Sequence, residues 1–499
     1  MELVLVVILA LCIVRLWIMP LSSSFWVDEM ASVFVVHHGA SDVSLRIAPQ
    51  VADSLYYRLP SAAERMFGSS EVSFRMTSVA AMLFALVAIS RIASSLIHPR
   101  AGWLAAFGCM AVRDFNFQAA DARPYALGTL VLSCGILALI QWLDSGRTRD
   151  ALLFAVVAAA LWWTQLVFWP FYAVFMLYGV FRVRREVVDV SGLQIACVAA
   201  MVFAGSLPVA LRAMSLLQGA AGHVIAPQPS MADLSSQLKL GMLTGAFTLF
   251  AFLNHWLRWA PEAGTVDRSS MVLVLAWWLV DPLTLFLFSK ATATSLFVGR
   301  YMVLAIPGAA LVVCAMVRIL IPARLWEPAA ACVGCAVLLF GGHWNRIWPQ
   351  HRDSDWRTAS QKLSAWSASD EIPVICPSPF VEARSPVWRP DYPTASFLYA
   401  HLSVYPITGR VYPFPFEWSQ DAAAFAHRLT TGTLLQAGRF AIYGGDRNVR
   451  FWSDWFAAQP EFTTWNKKAL GRFGDVEVVV FSKTTAPGPG TVFEMKALN

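Results

Sequence analysis

The sequence predicts a mainly α-helical, polytopic membrane protein with a small α/β domain after its last membrane span. Of its 499 residues, 57% are hydrophobic and only 14% are charged, whereas soluble globular proteins carry about 25% charged residues. Eleven apolar runs are long enough to form spanning helices, which need about 20 residues each. Residues 344–499 differ from these runs, because charged residues become frequent there and short helix and strand patterns alternate.

The same composition excludes other classes of protein. A chain of this length could form two to four soluble domains, but it has too few charged side chains to cover their surfaces. The 38 basic residues are scattered and form no basic stripe, so we predict no nucleic-acid partner. Seven of the eight cysteines lie in apolar runs, which favours packing over disulfide or metal chemistry.

The eleven predicted spans occupy residues 1–343, the predicted transmembrane domain. The first run is interpreted as an uncleaved span, because it starts with Glu2 instead of a basic segment and continues past Arg15. The stretch 151–181 is interpreted as two helices broken near Pro170. The spans begin at Leu3, Ser73, Ala101, Pro124, Ala151, Phe168, Ile195, Leu238, Met271, Tyr301 and Pro328.

Arginines in the short loops predict the orientation in the membrane. With the N-terminus on the cytoplasmic side, nine arginines fall in inner loops and three basic residues fall in short outer loops, as the positive-inside rule requires. An odd number of spans then places residues 344–499 outside. We therefore expect a multi-pass protein of the inner or plasma membrane with an extracytoplasmic C-terminal domain.

Residues 344–499 are predicted to form that small α/β domain. Helices are predicted at 356–366, 421–429 and 451–458, and short strands at 372–376, 439–443 and 476–481.

The first outer loop, residues 22–71, is long enough to carry structure or function of its own. Two short amphipathic helices are predicted in it, at 30–37 and 61–67. Asp28 and Glu29 lie just beyond the first span, where partial desolvation makes a carboxylate a better base. The structural alternative makes Asp28 the N-cap of a helix, with Glu29 in its first turn.

A second acidic group, Asp121, Arg123 and Tyr125, comes at the start of the fourth span. In one interpretation Asp121 faces Asp28 across a cavity that Tyr125 lines. In the other, Arg123 pairs with Asp121 in a turn and Pro124 begins a helix.

A cationic group, Arg300 and Tyr301, comes at the outer end of the tenth span. Arg300 either reaches out to lipid phosphate at the membrane edge or is a fixed cation for the phosphate of a lipid substrate. Lys290 is a weaker candidate for the second role.

These groups, in this order and on one predicted face, resemble the C-type membrane glycosyltransferases. The similar branch is the bacterial one related to dolichyl-phosphate-mannose protein mannosyltransferases and aminoarabinose transferases. The matching stretches are FWVDEMAS at 25–32, FGSSEVSFRMTSVAAML at 67–83, DARPYAL at 121–127, RYMVLAIPG at 300–308 and DSDWRTASQKL at 353–363. They touch nearly the whole chain and are specific to the superfamily, not to a substrate.

The resemblance implies an activity and a set of site residues. The donor would be a sugar on polyprenyl phosphate, used outside the cell without a nucleotide. The implied residues are Asp28 as catalytic base, Glu29 in support, Asp121 and Arg123 as the second acidic motif, and Arg300 and Tyr301 near the phosphate.

The chain departs from the family pattern in two places. Residues 53–57, which end in Tyr57, replace a frequent Pro-Pro-Leu-Tyr turn, and residues 163–165 replace a frequent histidine near the fifth span. Both lie near the expected substrate cavity, with Tyr57 as a candidate substrate contact. They put the substrate in doubt more than the activity.

The predicted function is an inverting membrane glycosyltransferase that moves a hexose or pentose from polyprenyl phosphate to a glycan, lipid or protein hydroxyl in the cell envelope. No cofactor is required by the sequence, and a divalent cation shared by Asp28 and Asp121 is left open. The alternative class is a transporter or lipid flippase. Transporters place charges near the midplane and often contain repeats, whereas these acids lie at the edges of spans.

Overall fold

The computed structural model describes residues 1–48, 54–185, 188–217, 226–259, 265–292, 294–341, 348–367 and 372–483. The chain divides into two compact units. The first comprises Met1–Ser23 and Val35–His351, and the second comprises Ser24–Phe34 and Arg352–Asn499. The boundary expected from the sequence, between residues 343 and 344, lies a few residues earlier. The grouping of Ser24–Phe34 with the C-terminal residues was not expected.

The first unit is helical. Its helices, with α2 contributing residues to both units, are α1 (Glu2–Ile13), α2 (Val27–His38), α3 (Arg58–Phe67), α4 (Glu71–Leu96), α5 (Ala101–Met110), α6 (Arg113–Ala119), α7 (Tyr125–Ser145), α8 (Thr148–Thr164), α9 (Phe171–Arg185), α10 (Gly192–Leu217), α11 (Met231–Gln237), α12 (Leu240–Leu257), α13 (Arg268–Ala291), α14 (Ile306–Leu320) and α15 (Trp326–Phe340).

Within the described ranges, nine helical segments are long and apolar enough to cross a membrane. They correspond to nine of the eleven predicted spans, and the predicted helical, multi-pass fold class is confirmed. The other two predicted spans form the shorter helices α5, with 10 residues, and α8, with 17 residues. The predicted amphipathic helices of the first outer loop correspond to α2 and α3.

Polar residues explain why α5 ends early. A turn at Ala111 and Val112 separates α5 from α6, and Asn116 in α6 reaches back to donate a hydrogen bond to the Met110 carbonyl at 2.6 Å. Asn116 also accepts one from the Trp17 indole at 3.0 Å. The side chain therefore satisfies a helix-end carbonyl that would otherwise lack a partner.

The sequence IPG at the start of α14 allows very close helix packing. A Cβ atom on Gly308 would lie 2.4 Å from the Trp278 backbone nitrogen in α13 and 2.7 Å from the Trp277 carbonyl carbon. The Trp277 indole also donates to the Leu304 carbonyl at 2.7 Å. Together these contacts fix the 3₁₀ turn Gly299–Ala305, which carries Arg300 and Tyr301.

Gly308→Ala is expected to lower the stability of the protein by about 1–3 kcal/mol, because the added methyl group overpacks a backbone contact. Thermal unfolding in detergent measures the effect. Gly241→Ala in α12 is the matched control, because no atom lies within 4 Å of its added Cβ. Equal unfolding temperatures for the two variants would contradict the packing interpretation.

The second unit contains a five-stranded sheet with helices. Its elements are α16 (Trp356–Ser367), β1 (Pro373–Pro377), α17 (Ala400–Val404), β2 (Arg410–Phe414), α18 (Gln420–Leu429), α19 (Leu435–Ala437), β3 (Arg439–Gly445), α20 (Asp446–Ala457), β4 (Trp465–Phe473) and β5 (Val476–Lys483). The strand order is β2-β1-β3-β5-β4. β1 pairs in parallel with β2 and β3, whereas β5 pairs antiparallel with β3 and β4. The predicted α/β character is confirmed, and β2 and β4 are additional strands.

Candidate functional site

The segment that carries Asp28 is held within the second unit by hydrogen bonds and aromatic contacts. The Phe25 N–H donates to the Tyr405 hydroxyl at 2.8 Å. The Arg352 guanidinium lies 4.4 Å from the centre of the Trp26 ring, a cation–π contact. Both aromatic side chains at the start of the FWVDE motif are buried. Phe25 and Trp26 therefore anchor the segment that carries Asp28 and Glu29.

The two carboxylates of the motif occupy the first turn of α2. Asp28 is the second residue of the helix and Glu29 the third. The buried Glu29 carboxylate accepts a hydrogen bond from the Trp26 N–H at 3.2 Å, as the third residue of a capping box does. The alternative that made Asp28 the N-cap is wrong, because Trp26 precedes the helix. Glu29 therefore stabilises the start of the helix, and Asp28 beside it is half-buried.

A buried arginine fixes the residues that lead into this motif. In the first unit, Arg75 of α4 is fully buried, and its Nη1 donates to the carbonyls of Leu21 and Ser23 at 3.0 and 2.5 Å. The Leu21 carbonyl lies within the short 3₁₀ turn Met19–Ser22 at the end of the first span, and the Ser23 carbonyl directly follows that turn. Hydrogen bonds from a charged donor are stronger than neutral ones. The arginine therefore sets where the first span ends.

Asp121 contacts a histidine that the sequence analysis missed. Both side chains are buried in the first unit, and His351 Nε2 lies 3.3 Å from Asp121 Oδ1. The imidazole also stacks on Phe117, with 4.1 Å between ring centres, and the His351 N–H donates to the Ser23 hydroxyl at 3.1 Å. Arg123 bonds to Asp121 through the backbone, its N–H donating to the Asp121 carbonyl at 2.8 Å. Asp121 therefore takes part in a backbone turn with Arg123 and, through its side chain, in a buried pair with His351.

The aromatic candidates Tyr125 and Tyr301 meet in the first unit. Tyr125, at the first position of α7, is fully buried, and its ring centre lies 6.3 Å from that of Tyr301. The Arg300 guanidinium carbon lies 5.6 Å from the centre of the Tyr301 ring and its side chain is half-buried. Lys290 is exposed and lies 5.8 Å from the Phe286 ring. Of the two cations, Arg300 is therefore the one that sits beside the tyrosine pair.

The two departures from the family pattern are neighbours in space. The Ser54 hydroxyl donates to the Thr164 carbonyl at 2.5 Å, and the Tyr56 N–H donates to the Ser54 hydroxyl at 3.1 Å. Tyr56 is buried, while the predicted contact Tyr57 is half-buried, with 5.6 Å between the two ring centres. The replaced turn and the replaced histidine region are therefore in direct contact in the first unit.

The nine predicted site residues divide between the two units. Asp28 and Glu29 belong to the second unit, and the other seven belong to the first. In the first unit Asp121 and His351 offer one carboxylate and one imidazole, which are ligand types that bind divalent cations.

His351→Ala is expected to destabilise the protein by about 1–3 kcal/mol, because the buried Asp121 carboxylate loses a hydrogen-bond partner. His351→Gln keeps a donor and should lose less. Thermal unfolding measures both, with the exposed His255→Ala in α12 as control. If His351→Ala unfolds at the same temperature as His255→Ala, the pair makes no net contribution.

The fold of the chain is similar to that of solved structures. No family model matches the chain, and no curated protein matches its sequence. The fold expected from the sequence resemblance, that of the C-type membrane glycosyltransferases, is confirmed by structural similarity.

Two of the similar structures are of ArnT from Cupriavidus metallidurans. The structure in the apo state matches with a TM-score of 0.57 and 12% identity, over 96% of this chain and 97% of that one. The structure bound to undecaprenyl phosphate matches with a TM-score of 0.51 and 11% identity, over 95% and 97%. The likeness thus covers both units of the chain.

Proposed function

We propose that the protein is an integral membrane glycosyltransferase that moves a sugar from polyprenyl phosphate to an acceptor hydroxyl on the outer face of the membrane. The observation that carries the proposal is the near full-length similarity to ArnT, one structure of which holds undecaprenyl phosphate. The residues that match the family motifs support the proposal: Asp28 in the first turn of α2, Asp121 shortly before α7, and Arg300 in the 3₁₀ turn Gly299–Ala305.

Asp28 is the general base of the proposed reaction. It takes the proton of the acceptor hydroxyl as that oxygen forms a bond to the anomeric carbon of the sugar. The bond from this carbon to the phosphate oxygen breaks, and its electron pair leaves with polyprenyl phosphate. A single displacement of this kind inverts the anomeric centre. Glu29 acts as a positioning residue, because its hydrogen bond to the Trp26 N–H fixes the turn that carries Asp28.

Arg300 is the fixed cation for the leaving group. Negative charge grows on the phosphate as the sugar departs, and a cation held in place beforehand stabilises that charge without reorganisation. The contact with Tyr301 and the packing of the 3₁₀ turn against α13 hold Arg300 in place. Asp121, with His351 beside it, is the second acidic group, and Arg123, Tyr125, Tyr57 and the weaker candidate Lys290 complete the proposed substrate contacts.

The proposed orientation places the N-terminus in the cytoplasm and the second unit outside the cell. It rests on the excess of arginine in the predicted inner loops. A polyprenyl-phosphate donor suits this location, since it needs no nucleotide, and the plasma or inner membrane is where such a donor is used.

Proteoliposomes that contain a panel of polyprenyl-phosphate sugars and are incubated with an acceptor extract test the function against the transporter alternative. A transferase changes the donor chemically, so mass spectrometry should detect free polyprenyl phosphate and a glycosylated acceptor. A flippase would move the intact donor between leaflets and leave its mass unchanged. If the donor is moved between leaflets and every donor in the panel stays intact, the transporter or flippase alternative replaces the proposed transferase.

A further inference from the structure

A long apolar groove runs between four helices of the first unit, and none of the proposed site residues lines it. It lies between α7, α8, α9 and α10 and has a volume of about 510 Å³, within the range for sites that bind small molecules. Its walls are mostly aromatic and aliphatic, including Trp142, Phe154, Phe175 and Phe203. We call it the four-helix groove.

The dimensions of the four-helix groove match one leaflet of a bilayer. On α9 it extends from Tyr172 to Val183, which is roughly 17 Å of helix at about 1.5 Å per residue. Half of a hydrocarbon core of about 30 Å is about 15 Å. Phe203 and Met176 line the groove and remain 67% and 68% exposed, so the groove is open on its lipid side. Its length and opening suit one hydrocarbon chain.

One end of the four-helix groove carries arginines. Tyr172, Met176 and Val180 line the groove at four-residue intervals, and Arg184 follows on the same face of α9. Arg184 and Arg185 are exposed and make no ion pair within the described parts of the chain. Arg182 differs, because it is already bound by Asp144 at 2.8 Å and Tyr178 at 2.9 Å.

A buried indole lines the groove near the same end. Trp142 is 4% exposed and stacks on Phe154, with 5.7 Å between ring centres. Its Nε1–H finds no hydrogen-bond acceptor among the residues that the structure describes. A buried donor without a partner is costly. The ends of α7 and α9 and the residues that follow them carry five arginines (Arg147, Arg149, Arg182, Arg184 and Arg185) and four acids (Asp144, Asp150, Glu186 and Asp189) in the sequence, so positive charge is in excess by one at this end.

We propose that the four-helix groove binds one glycerophospholipid. An acyl chain fills the groove, an ester carbonyl accepts the Trp142 Nε1–H, and the phosphate lies at Arg184 and Arg185. This lipid is distinct from the sugar donor. In the orientation proposed above the arginine end faces the cytoplasm, whereas the donor phosphate belongs at Arg300 on the outer face.

Native mass spectrometry of the full-length protein, delipidated in detergent and titrated with dioleoyl phosphatidylglycerol, tests the inference. Ala199→Phe fills the groove, and Ala200→Phe, on the next residue of α10 but outside the lining, is its matched control. We expect one bound phospholipid for the wild type and the control, and at least a tenfold weaker affinity for Ala199→Phe. Trp142→Phe removes only the N–H and should weaken binding about three- to tenfold, as loss of one hydrogen bond does.

Three outcomes would overturn the inference. Equal phospholipid affinity of Ala199→Phe and Ala200→Phe would show that the lipid binds elsewhere. Retention of polyprenyl phosphate in place of added phospholipid would make the groove part of the donor site. If Ala199→Phe fails to fold, Trp142→Phe and Arg184→Gln are measured in its place. Phospholipid affinity equal to that of the wild type in both variants contradicts the proposal.

Discussion

Asp28→Asn is expected to abolish sugar transfer while leaving the fold intact. Asparagine has the shape of aspartate but cannot accept the acceptor proton, and loss of general base catalysis costs about 10²–10⁴-fold in rate. Asp28 is half-buried in the first turn of α2, and the turn is stabilised by Glu29, so the helix should persist. Initial rates of transfer and thermal unfolding in the same detergent measure both effects.

The control for this prediction is the same substitution at another aspartate within residues 22–71. Asp42→Asn changes a carboxylate that accepts a hydrogen bond from the Ser44 N–H at 2.8 Å, and transfer should be unchanged. Glu29→Gln retains an oxygen that can accept the Trp26 N–H, so a positioning role predicts that it is milder than Glu29→Ala. Full activity of Asp28→Asn would end its assignment as the base.

Arg300→Ala is expected to raise the KM for the polyprenyl-phosphate donor by about 10- to 100-fold. A hydrogen bond to a charged group is worth about 1.5–3 kcal/mol, and about 1.4 kcal/mol corresponds to a factor of ten. Since Arg300 is half-buried on a short turn, its removal should affect folding much less. Steady-state kinetics with varied donor and saturating acceptor measure the change.

Two further variants test whether the effect on donor KM depends on the positive charge of Arg300 in particular. Arg300→Lys keeps the positive charge and should recover part of the donor affinity. Lys290→Ala should have a smaller effect than Arg300→Ala, because Lys290 is exposed and contacts Phe286 instead of the tyrosine pair. An unchanged donor KM in Arg300→Ala, or a larger effect of Lys290→Ala, contradicts the phosphate role of Arg300.

The central strands of the second unit were predictable from the sequence and its edge strands were not. β1 and β5 bury nearly every residue, so their apolar runs are visible in the sequence. β2 and β4 lie at the two edges of the sheet. β2 contains Pro413 and β4 contains two adjacent lysines, features that edge strands tolerate and that hide the pattern.

The site was predictable only where its residues lie close together in the sequence. Asp28 and Glu29 belong to one motif, and their helix turn follows from the local sequence. His351 is separated from Asp121 by 230 positions. No local sequence pattern identifies it as a site residue, although it lies two residues before the DSDWRTASQKL stretch. The contact of Ser54 with Thr164 also joins residues far apart in the sequence, 110 positions from each other. Such pairs depend on tertiary packing, which composition and periodicity do not encode.

The most direct test of the proposed reaction is its stoichiometry in reconstituted membranes. Purified wild-type protein and Asp28→Asn are incubated with the polyprenyl-phosphate sugars and an acceptor extract, and released polyprenyl phosphate and transferred sugar are both counted. We expect one polyprenyl phosphate released for each sugar transferred by the wild type, and neither product from Asp28→Asn. Sugar transfer without release of polyprenyl phosphate, or equal turnover by the variant, would contradict the proposed reaction.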